Sequence, residues 1–467
     1  MDIRLFDRRR LRKAALFLAL LFTVLLFRPD AAVPENSVDP GHVAAGYKAG
    51  FTCSGVFIAD RGLADIKSEE LRGGDPTVFL VPEARIDHES RAVRVPYSLF
   101  MPPRLAVYHD GFGCVLLPPG STMEDKDMLP EVNIPEQGGE PSEIAWPDGD
   151  LTRETAFPQE VNRAKLDKAV EEAFTGLKYK PHQTLGVVVV YRGRIIAERY
   201  AEGWGMHTQY RTWSTAKSIT NAMVGIMVKK GKLDVKQKAP IPEWKDDPRQ
   251  EITIENLLHM SSGLKSKGAL TREAYWGGIN TARAIVKSKL EAEPGTRWKY
   301  SNFDTLLLML SIKNVLANNE KFWKLPHKEL FNKIGMRDTY AEIDPYGNYI
   351  LSSQVYTTPR DLARFGLLYL NNGVWNGERI LPKGWVEYTV QPAPAKEDKG
   401  YGAQFWLIGT DPRIPDDAFT TSGARGQLAT VVPSRDLVVV RTGLDPLVGS
   451  SWSQEEFVKD IIKAIEG

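Results

Sequence analysis

Two β-rich stretches stand far apart in this chain, and their separation restricts the fold more than any other feature. Residues 184–203, TLGVVVVYRGRIIAERYAEG, form two β-branched runs around Arg192-Gly193, the pattern of a tight hairpin. Comparable runs return only at 402–409, 427–433 and 436–443. Residues 253–390 between them carry helical signals instead. TIENLLHMSSG offers Thr253 as an N-cap and Gly263 as a stop. TTPRDLARFGLLYLNNG offers Thr358 as an N-cap, Pro359 at the first helical position and Asp361 completing a capping box. Helical periodicity also brackets the β-rich runs, at 162–174 and 453–465. These segments predict an α/β chain of the α+β kind: an antiparallel sheet flanked by terminal helices, with an inserted, mainly helical subdomain.

The residues ahead of this pattern have another texture. Residues 31–155 are rich in Pro, Gly and Asp and predict an irregular, partly β extension, closed by a linker at 136–152; the main domain spans 156–467. At the start of the chain the basic RRRLRK (8–13) precedes the apolar AALFLALLFTVLLF (14–27). That order is a secretory signal peptide or signal-anchor over residues 1–30. The run is short for a membrane span, and Ala31-Ala32 is a weak cleavage signal, so both readings stand. Basic residues ahead of the run leave the body outside the cytoplasm, periplasmic or secreted, with inner-membrane anchoring through 14–27 as one outcome. In an oxidising compartment Cys53 and Cys114 could pair; two unrelated buried thiols are the equal alternative. Lys plus Arg number 60 against 59 Asp plus Glu, so there is no global basic field for nucleic acid.

RTWSTAKSIT, residues 211–220, sets Ser214 three residues before Lys217. On a helix that spacing puts both on one face. Serine becomes a nucleophile only beside a base, and lysine is a base only when burial or nearby positive charge makes it neutral. A second Ser-x-x-Lys, Ser262 to Lys265, lies in the Gly- and Lys-rich SSGLKSKG, where a solvated lysine costs nothing. Lys217 instead enters the apolar AKSITNAMVGIMVKKGKL, and a lysine there demands a reason. The plainer alternative makes Ser214 a cap and Lys217 a surface residue.

With Tyr300-Ser301-Asn302 after EPGTRWKY, and with LLHMSSGL and VVPSRDLVVV, residues 160–466 resemble the serine β-lactamase and penicillin-binding-protein superfamily. The likeness is to the branch of class C β-lactamases, family VIII esterases and 6-aminohexanoate-dimer hydrolases. It implies a β-lactamase-like fold, Ser214 as nucleophile, Lys217 and Tyr300 as the proton-moving groups, and Asn302 on the substrate. Two further Tyr-x-Asn sets, at Tyr346 and Tyr369, lack the matching context; Tyr369 is better read as core. His259 falls in a turn of the family where histidine is structural.

The third motif of the family, K-T-G or H-x-G, falls on Thr421-Ser422-Gly423, with no cation at its head. Arg441-Thr442-Gly443 looks similar but follows the wrong strand. The resemblance therefore implies an oxyanion hole from the backbone N–H groups of Ser214 and Ala424, with Ser422, Gly423 and Arg425 on the substrate. Arg425 would partly replace the missing cation. The expected activity is an exported serine hydrolase (esterase or amidase) acting on a small-molecule carboxylic ester or linear amide, with neither cofactor nor metal. The alternatives are a penicillin-binding D,D-peptidase or β-lactamase-like enzyme, and a non-catalytic penicillin-recognising envelope protein.

Overall fold

The computed structural model describes residues 40–466, apart from 73–75, 136, 153–155, 176–177, 180–182, 267–268, 410 and 447–451. The signal or anchor read at 1–30 lies outside these residues. Among the described residues no helix is long and apolar enough to cross a membrane.

Residues read from sequence as irregular and partly β form a helix on a sheet. Helix α1, Pro40–Phe57, packs on the antiparallel sheet β1 (Arg85–Asp87), β2 (Ala92–Val95), β3 (Arg104–His109) and β4 (Gly113–Leu116). The helix escapes sequence detection because it opens on proline, holds Gly46, Gly50 and Gly55, and has no polar stripe. Close packing requires two of them: a Cβ on Gly46 would sit 2.1 Å from the Trp276 carbonyl oxygen, and one on Gly55 2.6 Å from Ile66 Cδ1. Cys53 on α1 and Cys114 on β4 are joined in a disulfide with Cα atoms 6.0 Å apart. The stretch expected to be a linker is held to the body as well. Arg364 Nη2 donates to the Gly149 carbonyl at 2.6 Å, and Arg360 Nη1 to the Asp150 carbonyl at 2.8 Å. Pro40–Gly467 is accordingly one compact unit, and the change of texture near 156 marks no break in packing.

The main sheet gathers both ends of the body. It runs β7 (Trp406–Leu407), β8 (Phe419–Gly423), β9 (Gln427–Val432), β10 (Leu437–Gly443), β5 (Thr184–Tyr191) and β6 (Arg194–Tyr200), every pairing antiparallel. Val189 pairs with Val439, so strands far apart in sequence meet at its centre. Arg192 and Gly193 take positive φ, +48° and +75°, as a two-residue hairpin with matching twist needs. The continuous valines of β5 serve two cores. Val188 and Val190 face the helical region, while Val187 and Val189 face α2 (Arg163–Thr175) and α5 (Gln454–Ile465). The expected α+β architecture, with terminal helices on one face and the helical insertion on the other, is the one observed.

Candidate active site

Ser214 sits in a tight turn, Trp213–Thr215, that leads into α3, Ala216–Lys229. Trp213 holds a left-handed φ of +49°, a costly conformation for an aromatic residue, and thereby sets the direction from which Ser214 leaves the turn. Behind it, α3 is buried along nearly its whole length, and this explains the apolar run after the motif.

Lys217 lies one turn along, 1% exposed, with its Nζ 3.2 Å from Ser214 Oγ. The same nitrogen donates to Asn302 Oδ1 at 2.7 Å and to the Ser352 carbonyl at 2.8 Å. Burial pulls its pKa down from 10.5 to about 7. These contacts dictate how the neutral amine must sit. Amide and peptide oxygens can only accept, so they take its two hydrogens. The lone pair is then left for the third direction, toward Ser214, whose hydroxyl can donate into it.

Tyr300 closes the other side. Its hydroxyl shares a hydrogen bond with Ser214, and the Lys217 Nζ lies 5.0 Å from its ring centre. Burial pushes this phenol up to about 12, so it stands protonated, ready to donate. Ser301 caps α4, Asn302–Leu316, by accepting from the Asp304 N–H, and the start of that helix aims Asn302 at Lys217. Ser214, Lys217, Tyr300 and Asn302 thus meet at one point.

The third motif is brought in along the edge of the sheet. A Cβ on Gly423 would fall 2.1 Å from the Thr212 carbonyl oxygen, so β8 can lie against the chain just before Ser214 only because that residue is glycine. Ala424 follows at this contact. Thr421 turns inward, its Oγ1 accepting from the Ala429 N–H at 3.0 Å and from the Thr215 hydroxyl at 3.3 Å. Ser422, on the alternate face, lines a cavity with Gly423 and Ala424. Arg425 does not serve as the replacement cation expected from sequence. Its guanidinium, on a residue 6% exposed, donates to the carbonyls of Asp445, Glu70, Glu69 and Leu444 at 2.8–3.1 Å. Four of its five N–H groups are thus held by the protein's own backbone.

The competing motifs resolve into structural roles. Ser262 Oγ donates to Asp304 Oδ1 at 2.8 Å, and Lys265 is exposed. Tyr369 is core, its hydroxyl donating to Asn221. Tyr346 is exposed on a loop where Asn348 binds Asp344. Arg441 is buried and paired with Asp445. His259 is buried, pushed down to about 4, and packs on Tyr388. Sequence reasoning missed three contributors to the site. Ser352 acts through its carbonyl, which no side-chain pattern announces. Tyr275 donates or accepts at 2.5 Å on the Ser352 hydroxyl. Trp406 packs 5.7 Å from Tyr300.

Residues 170–442 match the model of the Beta-lactamase family. The chain belongs to that family. It is 24% identical over 294 residues to the 6-aminohexanoate-dimer hydrolase of Paenarthrobacter ureafaciens, covering 56% of this chain and 72% of that protein. Among solved structures it resembles a Bacillus anthracis protein named after the 6-aminohexanoate-dimer hydrolases (TM-score 0.55, 22% identity, 73% of this chain and 91% of that one). It also resembles a family VIII carboxylesterase (TM-score 0.52, 15% identity, 67% and 98%). The family match places this chain among hydrolases of the β-lactamase fold; the helix-and-sheet layer at 40–116 lies ahead of the matched residues.

Proposed function

We propose that this family member is an exported serine hydrolase that cleaves a carboxylic ester or linear amide through an acyl-enzyme on Ser214. The observation that carries the reading is the three-way hold on Lys217: two acceptor oxygens and burial leave a neutral amine with its lone pair toward the Ser214 hydroxyl. In this mechanism Ser214 Oγ attacks the carbonyl carbon while its proton passes to Lys217. The N–H groups of Ser214 and Ala424 take up the charge that develops on the carbonyl oxygen. Tyr300 then gives its proton to the leaving oxygen or nitrogen and recovers one from the Lys217 ammonium. Water attacks the acyl-enzyme by the same route in reverse. The basic flank and apolar run at 8–27 support delivery outside the cytoplasm, periplasmic or secreted.

The missing cation at Thr421, with Arg425 turned to backbone carbonyls, favours esters and simple amides over β-lactams, whose carboxylate would lack the cation that usually heads this motif. The test is hydrolysis of a p-nitrophenyl ester, an anilide and a penicillin by the full-length protein and by Ser214→Ala. Turnover of the ester or anilide, abolished by the substitution, is the expected result. Turnover that survives in Ser214→Ala contradicts the reading.

A further inference from the structure

Next to the oxyanion turn lies a cavity of about 440 Å³ whose charge balance points to a class of substrate. Its walls include Trp406, Ile408, Leu428 and Trp452, with Thr420, Ser422, Gln454 and Glu455 among the polar members. Gly423 and Ala424 line it too, and Trp406 packs on Tyr300, so the space lies beside the candidate site. Arg425 is the cation lining it among the described residues, and four of its five N–H groups are turned to backbone carbonyls. Asp445, also in the wall, is bound to Arg441 by two bonds of 2.7 Å. Glu455 is half-buried and makes no ion pair with the described residues.

A further attraction for an anion would be the N-terminus of α5, where the helix partial charge is positive. Glu455 and Glu456 occupy its first turn and supply that negative charge from within the protein. An incoming carboxylate would therefore be desolvated against apolar walls and face Glu455, while the Arg425 guanidinium is held by four backbone carbonyls. An amino group would meet Glu455 and the indole of Trp406.

Resting on the hydrolase reading above, we infer that this cavity receives an uncharged or amino-bearing arm of the substrate and rejects a carboxylate, with Glu455 as the residue that sets the preference. The test uses the full-length protein and an isosteric set of esters ending in ammonium, methyl or carboxylate, the group placed first on the acyl side and then on the alcohol side. On one of the two sides, kcat/KM for the ammonium ester should exceed that for the carboxylate ester by roughly tenfold, and the ratio should shrink as salt is added. Glu455→Gln should lower the ratio and Glu455→Lys should invert it, since both substitutions change a half-buried side chain in the first turn of a helix. Equal rates for the two charged esters on both sides, or a ratio unmoved in both variants, overturns the inference alone. A chain that turns over none of the esters and takes no label on Ser214 overturns the hydrolase reading, and this inference with it.

Discussion

The chain contains the same serine–lysine spacing twice, and the two copies have opposite fates. At Ser262 the hydroxyl is a donor to a buried acid, Asp304, and Lys265 points to water. At Ser214 the lysine is the buried partner and the serine is only half-buried. Spacing is common to both; what differs is which member of the pair has been removed from water. Burying the lysine between two fixed acceptors creates a base, whereas burying the serine against a carboxylate creates a structural joint.

That contrast is broken most severely by Ser214→Ala, which should lower kcat by at least about a thousandfold in an ester assay. Ser262→Ala should leave kcat within roughly twofold, read in the same assay at a temperature where the variant is folded. Lys217→Met comes next, with a loss on the order of a hundredfold to ten-thousandfold, as removal of a general base costs. In the wild type, log kcat/KM should climb with pH and level off above about 7 as Lys217 loses its proton. A profile flat from pH 5 to about 9 would deny lysine this role.

The two pairs also impose opposite pH dependences on stability. Lys217 titrates lower in the fold than in the unfolded chain, so between about 7 and 10.5 the unfolded state holds more protons and stability rises with pH. Asp304 is pushed up by burial, from 3.8 to about 7, so the folded state holds more protons in that window and stability falls as pH rises through it. Urea unfolding across pH should lose the first slope in Lys217→Met and the second in Asp304→Asn.

A smaller effect is expected from Arg425→Gln. Arg425 takes φ +65° in the turn after Ala424 and ties that turn to the carbonyls of Glu69 and Glu70 in the N-terminal layer. Losing the tie should lower kcat by roughly tenfold with KM little changed, as loosening one oxyanion donor does. Unchanged kcat with a lower Tm would make the residue purely structural. Smallest of all, Ser262→Ala should cost about 1–3 kcal/mol of stability by leaving Asp304 short of a donor, measured by urea unfolding.

Much of the sheet and the heart of the site were legible in the sequence because each depends on local rules. Valine runs specify strands, Arg192-Gly193 specifies the hairpin, and a lysine inside AKSITNAMVGIM has no solvated place to go. What could not be read depends on partners distant in sequence. Arg425 looked like a free cation because nothing near it reveals that Glu69 and Glu70 lie across its guanidinium. Helix α1 was missed because a helix packed on all sides has no polar stripe. Ser352 contributes only a main-chain oxygen, which every residue has.

The most direct measurement is the site of covalent modification. Full-length protein treated with a fluorophosphonate and digested for peptide mass analysis should carry the adduct on Ser214 alone, with labelling absent from Lys217→Met near pH 7 and present in Ser262→Ala. An adduct on Ser262, or undiminished labelling of Ser214 without Lys217, would contradict the account that burial of the lysine makes this serine the nucleophile.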